Sequence, residues 1–444
     1  MTHNASAVQR PSQRALPAEG YLVSKGHSHY VLFLLFMLMA FDFIDRQVLA
    51  ALLPYIKAEW ALSDTQLGAL VSAVNVAIAI LAFPTAVVVD RWSRTKSIGL
   101  MAMLWSLATA ACSFASSFNQ MLIARFFIGT GEAGYVSGGN ALLAAVYPQR
   151  MRATVIGIFQ SASMVGTVLG VVLGGIIATH WGWRSAFGVV AVPGLLLAAL
   201  VYFVSDYKTV VMEIQDKTTQ LKRAVRWTDI AISIVKSPIL LLLFLGQAAQ
   251  LFFVSTLGNW LPSFFNRTYG MPVSQAGIRT GLVMVVAAVG MALGGYLIDR
   301  MTGSREQRRL LGPALFSLAT AVLFMMAFNS PAGLQQTVLL FAGAFFMLGI
   351  MGPVVAAMQD VVHPGMRASC TGATALCTNL FGMALGPVSA GFLSDMFELQ
   401  TALMLVSCAP LIAAVAYLVA SYMFESELIK AHKVNATPMT VVTS

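Results

Sequence analysis

Five ionisable side chains, Asp42, Asp45, Arg46, Arg125 and Glu132, stand inside stretches of the chain that are otherwise almost wholly apolar. An ionised group at the centre of a bilayer costs at least about 2.5–3.5 kcal/mol on insertion scales, so these charges need a reason. Asp42, Asp45 and Arg46 fall at i, i+3 and i+4 and share one helical face, while Arg125 and Glu132 lie two turns apart on another. Two such stripes facing each other offset their desolvation, and a carboxylate balanced between burial and an arginine can exchange protons. Arginine stays charged, so it can hold either that carboxylate or an anionic solute, and exchange between the two partners links proton flux to solute flux. Asp45 is therefore expected to carry the coupling proton, with Arg125 as its main counter-charge and Arg46 and Asp42 assisting. Glu132 and Arg125 are expected to meet the solute, Glu132 serving as a substrate or second proton site. A static ion-pair network that only fixes helix packing is the competing reading of the same residues.

The elements that must hold these charges are membrane helices. Of the 444 residues, 58% are hydrophobic and 10% are Asp, Glu, Lys or Arg, against roughly 45–50% and about 25% in soluble domains. Apolar runs fall at 30–53, 65–89, 97–116, 119–146, 153–179, 185–205, 238–262, 273–298, 310–328, 334–358, 368–393 and 400–424, each long enough to span a bilayer. The first is too long for a signal h-region and has no small-residue cleavage site behind it, so it is expected to remain as a span. With the N-terminus in the cytoplasm, 21 of the 27 basic residues fall on inside segments, which is the positive-inside rule and accounts for the net charge without a nucleic-acid partner. Cys112, Cys370, Cys377 and Cys408 lie within spans as small apolar residues, so neither a disulfide nor a metal site is expected, and no cofactor.

The chain divides at its longest polar interruption. The expected organisation is a cytoplasmic tail (1–29), a six-helix half (30–205), a cytoplasmic central loop (206–236), a second six-helix half (237–424) and a cytoplasmic tail (425–444). The halves repeat each other: Asp90-Arg91 with Arg94 and Lys96 after span two matches Asp299-Arg300 with Arg305, Arg308 and Arg309 after span eight, and Pro148-Gln-Arg-Met-Arg152-Ala-Thr before span five matches Pro364-Gly-Met-Arg367-Ala-Ser before span eleven. Two parallel halves about an axis along the membrane normal, with a solute site between them, form the architecture of major facilitator transporters. The loop Asp90-Arg-Trp-Ser-Arg94-Thr-Lys96 resembles the loop of that superfamily, with Ala86 where its pattern usually has Gly. Within it the chain is most similar to Spinster-like transporters, through Asp45-Arg46, Ser93 and Arg125-Phe-Phe-Ile-Gly-Thr-Gly-Glu132-Ala-Gly-Tyr135; organic-anion/proton symporters carry a similar Asp-Arg and Gly-x-Gly-Glu-Ala. Asp42 stands where Spinster-like proteins usually have Asn. The resemblance implies that Asp90, Arg91, Arg94, Asp299 and Arg300 act as a cytoplasmic gate, and that the cargo is of lysophospholipid type or, in the organic-anion branch, a small carboxylate.

The second half has no ionisable residue deep in a span. Its polar candidates for substrate binding are Gln247, Gln250 and Asn379, joined by Phe253 and, from the first half, Tyr135. Acid and base on one wall with amides and aromatics on the other suit an amphipathic anionic or zwitterionic solute. Gly129-Thr-Gly131-Glu-Ala-Gly134 matches a dinucleotide fingerprint, but that motif has meaning only at a strand-to-helix turn, and here it lies in a membrane helix. Gly166, Gly170 and Gly174, with Gly382, Gly386 and Gly391, are spaced to let helices approach closely. HExxH, GxSxG and an intramembrane His are all missing, so an enzyme is not expected. The reading is an all-α polytopic membrane protein of twelve transmembrane helices, a monomeric proton-coupled transporter of the bacterial inner membrane with both termini cytoplasmic and membrane lipid around it.

Overall fold

The computed structural model describes residues 23–91, 93–148, 151–204, 236–302, 309–362 and 367–436. They are helical with short connections and contain no strand. The first six rods are α1 (Lys25–Trp60), α2 (Asp64–Arg91), α3 (Arg94–Ser113), α4 (Phe118–Glu132) continued by α5 (Tyr135–Val146), α6 (Arg152–Trp181) and α7 (Trp183–Val201). The last six are α8 (Pro238–Tyr269), α9 (Val273–Thr302), α10 (Leu311–Asn329), α11 (Leu334–Met347) continued by α12 (Met351–Asp360), α13 (Arg367–Cys377) continued through a π turn (Thr378–Ala384) into α14 (Leu385–Met396), and α15 (Leu399–Val406) continued by α16 (Ala409–Ala436). Nine stretches of the described chain are long and apolar enough to cross a membrane, and the chain is a multi-pass membrane protein.

Local chemistry sets the helix ends. Ser24, Ser93 and Ser117 cap α1, α3 and α4, each accepting a bond from a first-turn N–H. Ala61 (φ 50°) and Gly270 (φ 63°) end α1 and α8 in the left-handed region, and Gly182 (φ 81°) makes the sharp link between α6 and α7. Helix α1 begins at Lys25, ahead of the expected start of span one, and α16 runs to Ala436, past the expected end of span twelve.

Four rods expected to be continuous are interrupted, for identifiable reasons. Between α4 and α5, Gly131 and Gly134 let the chain press on α3: a Cβ on Gly131 would stand 2.8 Å from the Trp105 nitrogen, and one on Gly134 would stand 2.8 Å from the Met101 methyl. Between α11 and α12, a Cβ on Gly349 would meet the Phe316 ring at 2.7 Å. Pro410 cannot donate a helical hydrogen bond, and the rod breaks just before it at Ser407-Cys408. The fourth interruption is the π turn.

Glycine also fixes how rods pair. Gly166, Gly170 and Gly174 of α6 lie against the Ala40, Ile44 and Val48 carbonyls of α1, while Gly382 and Gly386 lie against the Ala248 and Phe252 carbonyls of α8. Span five thus packs on span one as span eleven packs on span seven. A core of apolar side chains runs through the bundle, and large apolar groups such as Phe33, Leu196 and Tyr422 are exposed on its outside, as a lipid-facing surface requires. The bundle has a terminal face, where α1 starts and α16 ends, and an opposite, distal face.

Candidate substrate and proton site

The five intramembrane charges come together, with a pairing that differs from the expected one. Arg46 is the shared partner of two carboxylates: its Nε donates to Asp42 Oδ1 at 3.1 Å, and its Nη2 lies 2.7 Å from Glu132 Oε2. The second contact has ion-pair distance without hydrogen-bond alignment, and both Glu132 oxygens lack a hydrogen-bond partner. Asp45 instead accepts from Thr109 Oγ1 of α3 at 2.6 Å. Arg125 reaches the same turn of α1, its Nη1 3.5 Å from the Asp45 carbonyl oxygen rather than the carboxylate, and its Nε is unpartnered. Asp42, Asp45, Arg125 and Glu132 are all buried. Arg46 keeps a partly open side chain, with its guanidinium 5.1 Å from the centre of the Phe43 ring. The break after Glu132 places that carboxylate at the end of α4, opposite α1.

A cavity of about 270 Å³ lies between the first and last six rods. Arg46, Arg125, Gln47 and Asn75 line it from one side, with Ser163 and Thr167 of α6. Leu251, Val254, Ser255 and Asn259 of α8 line it from the other. Met164, Met284, Met291, Met351 and Met383 supply much of its apolar wall, a flexible thioether surface that moulds to varied shapes. Both arginines therefore line the cavity, and Asp42, Asp45 and Glu132 lie outside its lining.

Of the residues expected to bind substrate, Arg125 lines this cavity and the others lie elsewhere. Glu132 is behind Arg46. Tyr135 is buried, donating to the Leu35 carbonyl at 2.7 Å. Gln247 donates to Met351 Sδ and Gln250 to the Met347 carbonyl. Phe253 stacks edge-on to Phe324 in the core, with ring centres 4.8 Å apart. Asn379 is half-buried and donates to the Ala375 carbonyl at 2.8 Å. Of the expected gate residues, Arg300 is exposed, and the side chains of Asp90, Arg91, Arg94 and Asp299 lie outside the described residues.

Sequence reasoning missed a polar cluster on the distal face. Asp64 accepts from Lys57 Nζ at 2.6 Å, from both Arg267 terminal nitrogens at 2.6 and 2.7 Å, and from Ser394 Oγ at 2.6 Å. Asp395 of α14 accepts from the Asp64 and Thr65 backbone N–H groups at 2.7 and 2.8 Å, capping α2 from the other half of the chain. Ser72 and Asn75 of α2 also donate across, to the Ala384 and Met383 carbonyls. Apart from the Lys57 bond, which joins α1 to α2, these hydrogen bonds of the described residues join the first six rods to the last six, and each has its first-half partner in the distal part of α2. The available signal was arithmetic: Lys57 and Arg267 are among the six basic residues that the inside loops leave unexplained.

The sequence profile described as the Major Facilitator Superfamily matches residues 35–383. A hexuronate transporter of Bacillus subtilis (strain 168) is 26% identical, over 82% of this chain and 87% of its own length. Protein spinster homolog 1 of Xenopus laevis is 24% identical, over 85% of this chain and 74% of its own. Among solved structures, a bacterial homolog of the human lysosomal transporter Spinster, in an inward-facing and unoccupied conformation, superposes with a TM-score of 0.80 at 24% identity, covering 91% of this chain and 99% of that one.

Proposed function

The chain belongs to the Major Facilitator Superfamily, and from that premise we propose that this transporter couples protons to the movement of a small organic anion with an apolar body, by alternating access. One observation carries the proposal: Arg46 and Arg125 line the central cavity while three carboxylates stand behind them. With every group ionised the cluster holds three negative and two positive charges, and an uncompensated buried charge is costly. One bound proton makes it neutral. The surplus sits where one guanidinium serves two carboxylates, and the geometry favours Glu132, whose oxygens have no hydrogen-bond partner, for the first proton, where the sequence favoured Asp45. An anion arriving on the cavity side of Arg46 competes with Glu132 for the guanidinium. It also adds a negative charge, which favours uptake of a further proton, and Asp45 beside Arg125 can take it. Anion and protons then move together, which is symport.

The basic residues of the terminal face support placing it in the cytoplasm of a bacterial inner membrane. The Asp64 cluster closes the distal face, so the arrangement corresponds to an inward-facing state in which substrate is released. A second reading, lysophospholipid-type cargo, draws on the likeness to Spinster proteins. The cavity of about 270 Å³ lies below the roughly 300–1,000 Å³ of sites for drug-sized ligands, which favours the smaller solute. Proteoliposomes with an alkaline interior decide between them. Uptake of small carboxylates accelerated by the pH gradient is expected. Flux of lysophosphatidylcholine with none of carboxylates would overturn the small-anion reading, and carboxylate flux indifferent to the gradient would overturn proton coupling.

A further inference from the structure

The π turn in span eleven frees backbone carbonyls, because its wider winding interrupts the regular i→i−4 ladder. The Met383 carbonyl accepts from Ser255 Oγ at 3.1 Å and from Asn75 Nδ2 at 3.4 Å, and the Ala384 carbonyl accepts from Ser72 Oγ. A carbonyl can only accept, so the Asn75 amide must turn its NH2 toward Met383 and its oxygen away. That oxygen is buried without a hydrogen-bond partner, on a side chain that lines the cavity and is 6% exposed. The same wall holds Arg125 Nε, a buried donor without a partner. Gln47 Oε1 on the same wall is a second buried acceptor without a partner, so the cavity lining holds two unmet acceptors and an unmet donor, and of the two acceptors Asn75 is the one whose orientation the π turn fixes. A carboxylate can satisfy a guanidinium, but only an O–H or N–H can satisfy the Asn75 oxygen. A solute that excludes water from this wall without bringing such a group leaves a bare buried acceptor.

We infer that Asn75 is a specificity-determining residue, selecting organic anions that carry a hydroxyl or amino group on their body over the same anions without one. The inference rests on the organic-anion reading above and deepens it by assigning the second polar group of the substrate. The principle is general: a site built to hydrogen-bond a substrate O–H rejects the analogue lacking it far more strongly than an apolar pocket rejects a missing methylene.

Four probes of nearly equal size test it on the purified full-length chain in detergent, with binding measured by calorimetry: phenylacetate, mandelate, 4-hydroxyphenylacetate and 4-aminophenylacetate. The hydroxyl and amino arms separate the two donor types, and the 2- and 4-positions separate two placements of the donor. At least one donor-bearing probe is expected to bind about tenfold or more tightly than phenylacetate. Asn75→Leu is expected to level that ratio to within about threefold, and Asn75→Ala to do the same should the leucine variant misfold. Ser72→Ala, which removes the neighbouring bond to the same π turn, is expected to keep the ratio. A ratio of affinities is indifferent to a general loss of stability, so a purely structural role of Asn75 would not move it. Phenylacetate binding with no preference for any donor-bearing probe, or a preference that survives Asn75→Leu, would overturn the inference. Failure of the wild type to bind any of the four would instead overturn the small-anion reading, and the inference with it.

Discussion

Glu132→Gln tests the charge arithmetic of the proton site most directly. The Glu132 carboxylate lies 2.7 Å from Arg46 Nη2, and charge centres about 4 Å apart attract by about 4 kcal/mol at an effective dielectric of 20. Asp42 occupies Nε of the same guanidinium. Two carboxylates so placed stand on the order of 5 Å apart and repel by about 3 kcal/mol, which cancels most of the attraction and leaves the second carboxylate its desolvation. With every group ionised, the wild-type cluster therefore carries one uncompensated buried negative charge. Glu132→Gln leaves two carboxylates against two guanidinia and removes the surplus. Thermal melts in detergent are expected to show the variant no less stable than the wild type, because the amide keeps the shape of the side chain and removes the surplus charge. In proteoliposomes the variant is expected to lose gradient-driven uptake while keeping substrate exchange. A lower melting temperature in the variant together with full gradient-driven uptake would refute the reasoning.

Three further outcomes follow from the geometry. Asp64→Asn removes the charge on which Lys57 and Arg267 converge, and is expected to raise modification of a cysteine introduced at Thr268 by about fivefold or more; unchanged labelling would reduce the cluster to surface charge. Gly166→Ala drives a methyl group into the Ala40 carbonyl, a backbone atom that cannot step aside, and is expected to cost about 1–3 kcal/mol, read as a lower melting temperature; an unaltered melt would show that α1 and α6 part freely. Arg125→Lys keeps the charge but loses the planar fork, and is expected to weaken carboxylate binding about tenfold with little change in melting temperature; equal binding would remove Arg125 from the site.

The fold was legible because bilayer burial leaves a coarse signal. Apolar runs of membrane length and the bias of basic residues toward one side are properties of single segments, and no knowledge of neighbours is needed to see them. The five intramembrane charges were legible for the same reason, since each stands out against its own helix. Their pairing was not. Helical spacing puts Asp42, Asp45 and Arg46 on one face, but whether Arg46 or Arg125 meets Glu132 depends on how α4 is broken and how it lies against α1. The amides show the same limit: Gln247 and Gln250 sit on a helix that lines the cavity, yet bond to another helix and stay out of the lining, while Asn75 and Gln47 belong to it. Asp64 and Asp395 escaped notice because carboxylates at helix ends are ordinary in sequence and acquire a role only when α2 and α14 meet.

The glycines bear on which of these contacts can be exchanged for water. Inside the first half, the α6 stripe presses the backbone of α1 along the stretch that carries Asp42, Asp45 and Arg46, so the charged face is held by van der Waals contact that has no titratable part. Gly382 and Gly386 hold α8 in the same way in the second half. Between the halves the close approach of Gly68 to Pro387, and of Gly391 to Asp64, is accompanied by the Asp64 ion pairs and the bonds from Ser72 and Asn75. Polar bonds can be exchanged for water when the distal face opens, at a net cost of about 0.5–1.5 kcal/mol for an ordinary hydrogen bond, whereas separating a glycine stripe opens an apolar gap with nothing to fill it. In the alternating access proposed above, the bonds of the Asp64 cluster and of the π turn are the contacts to be exchanged, while Gly175 and Gly277 keep α6 close to α9 across the two halves.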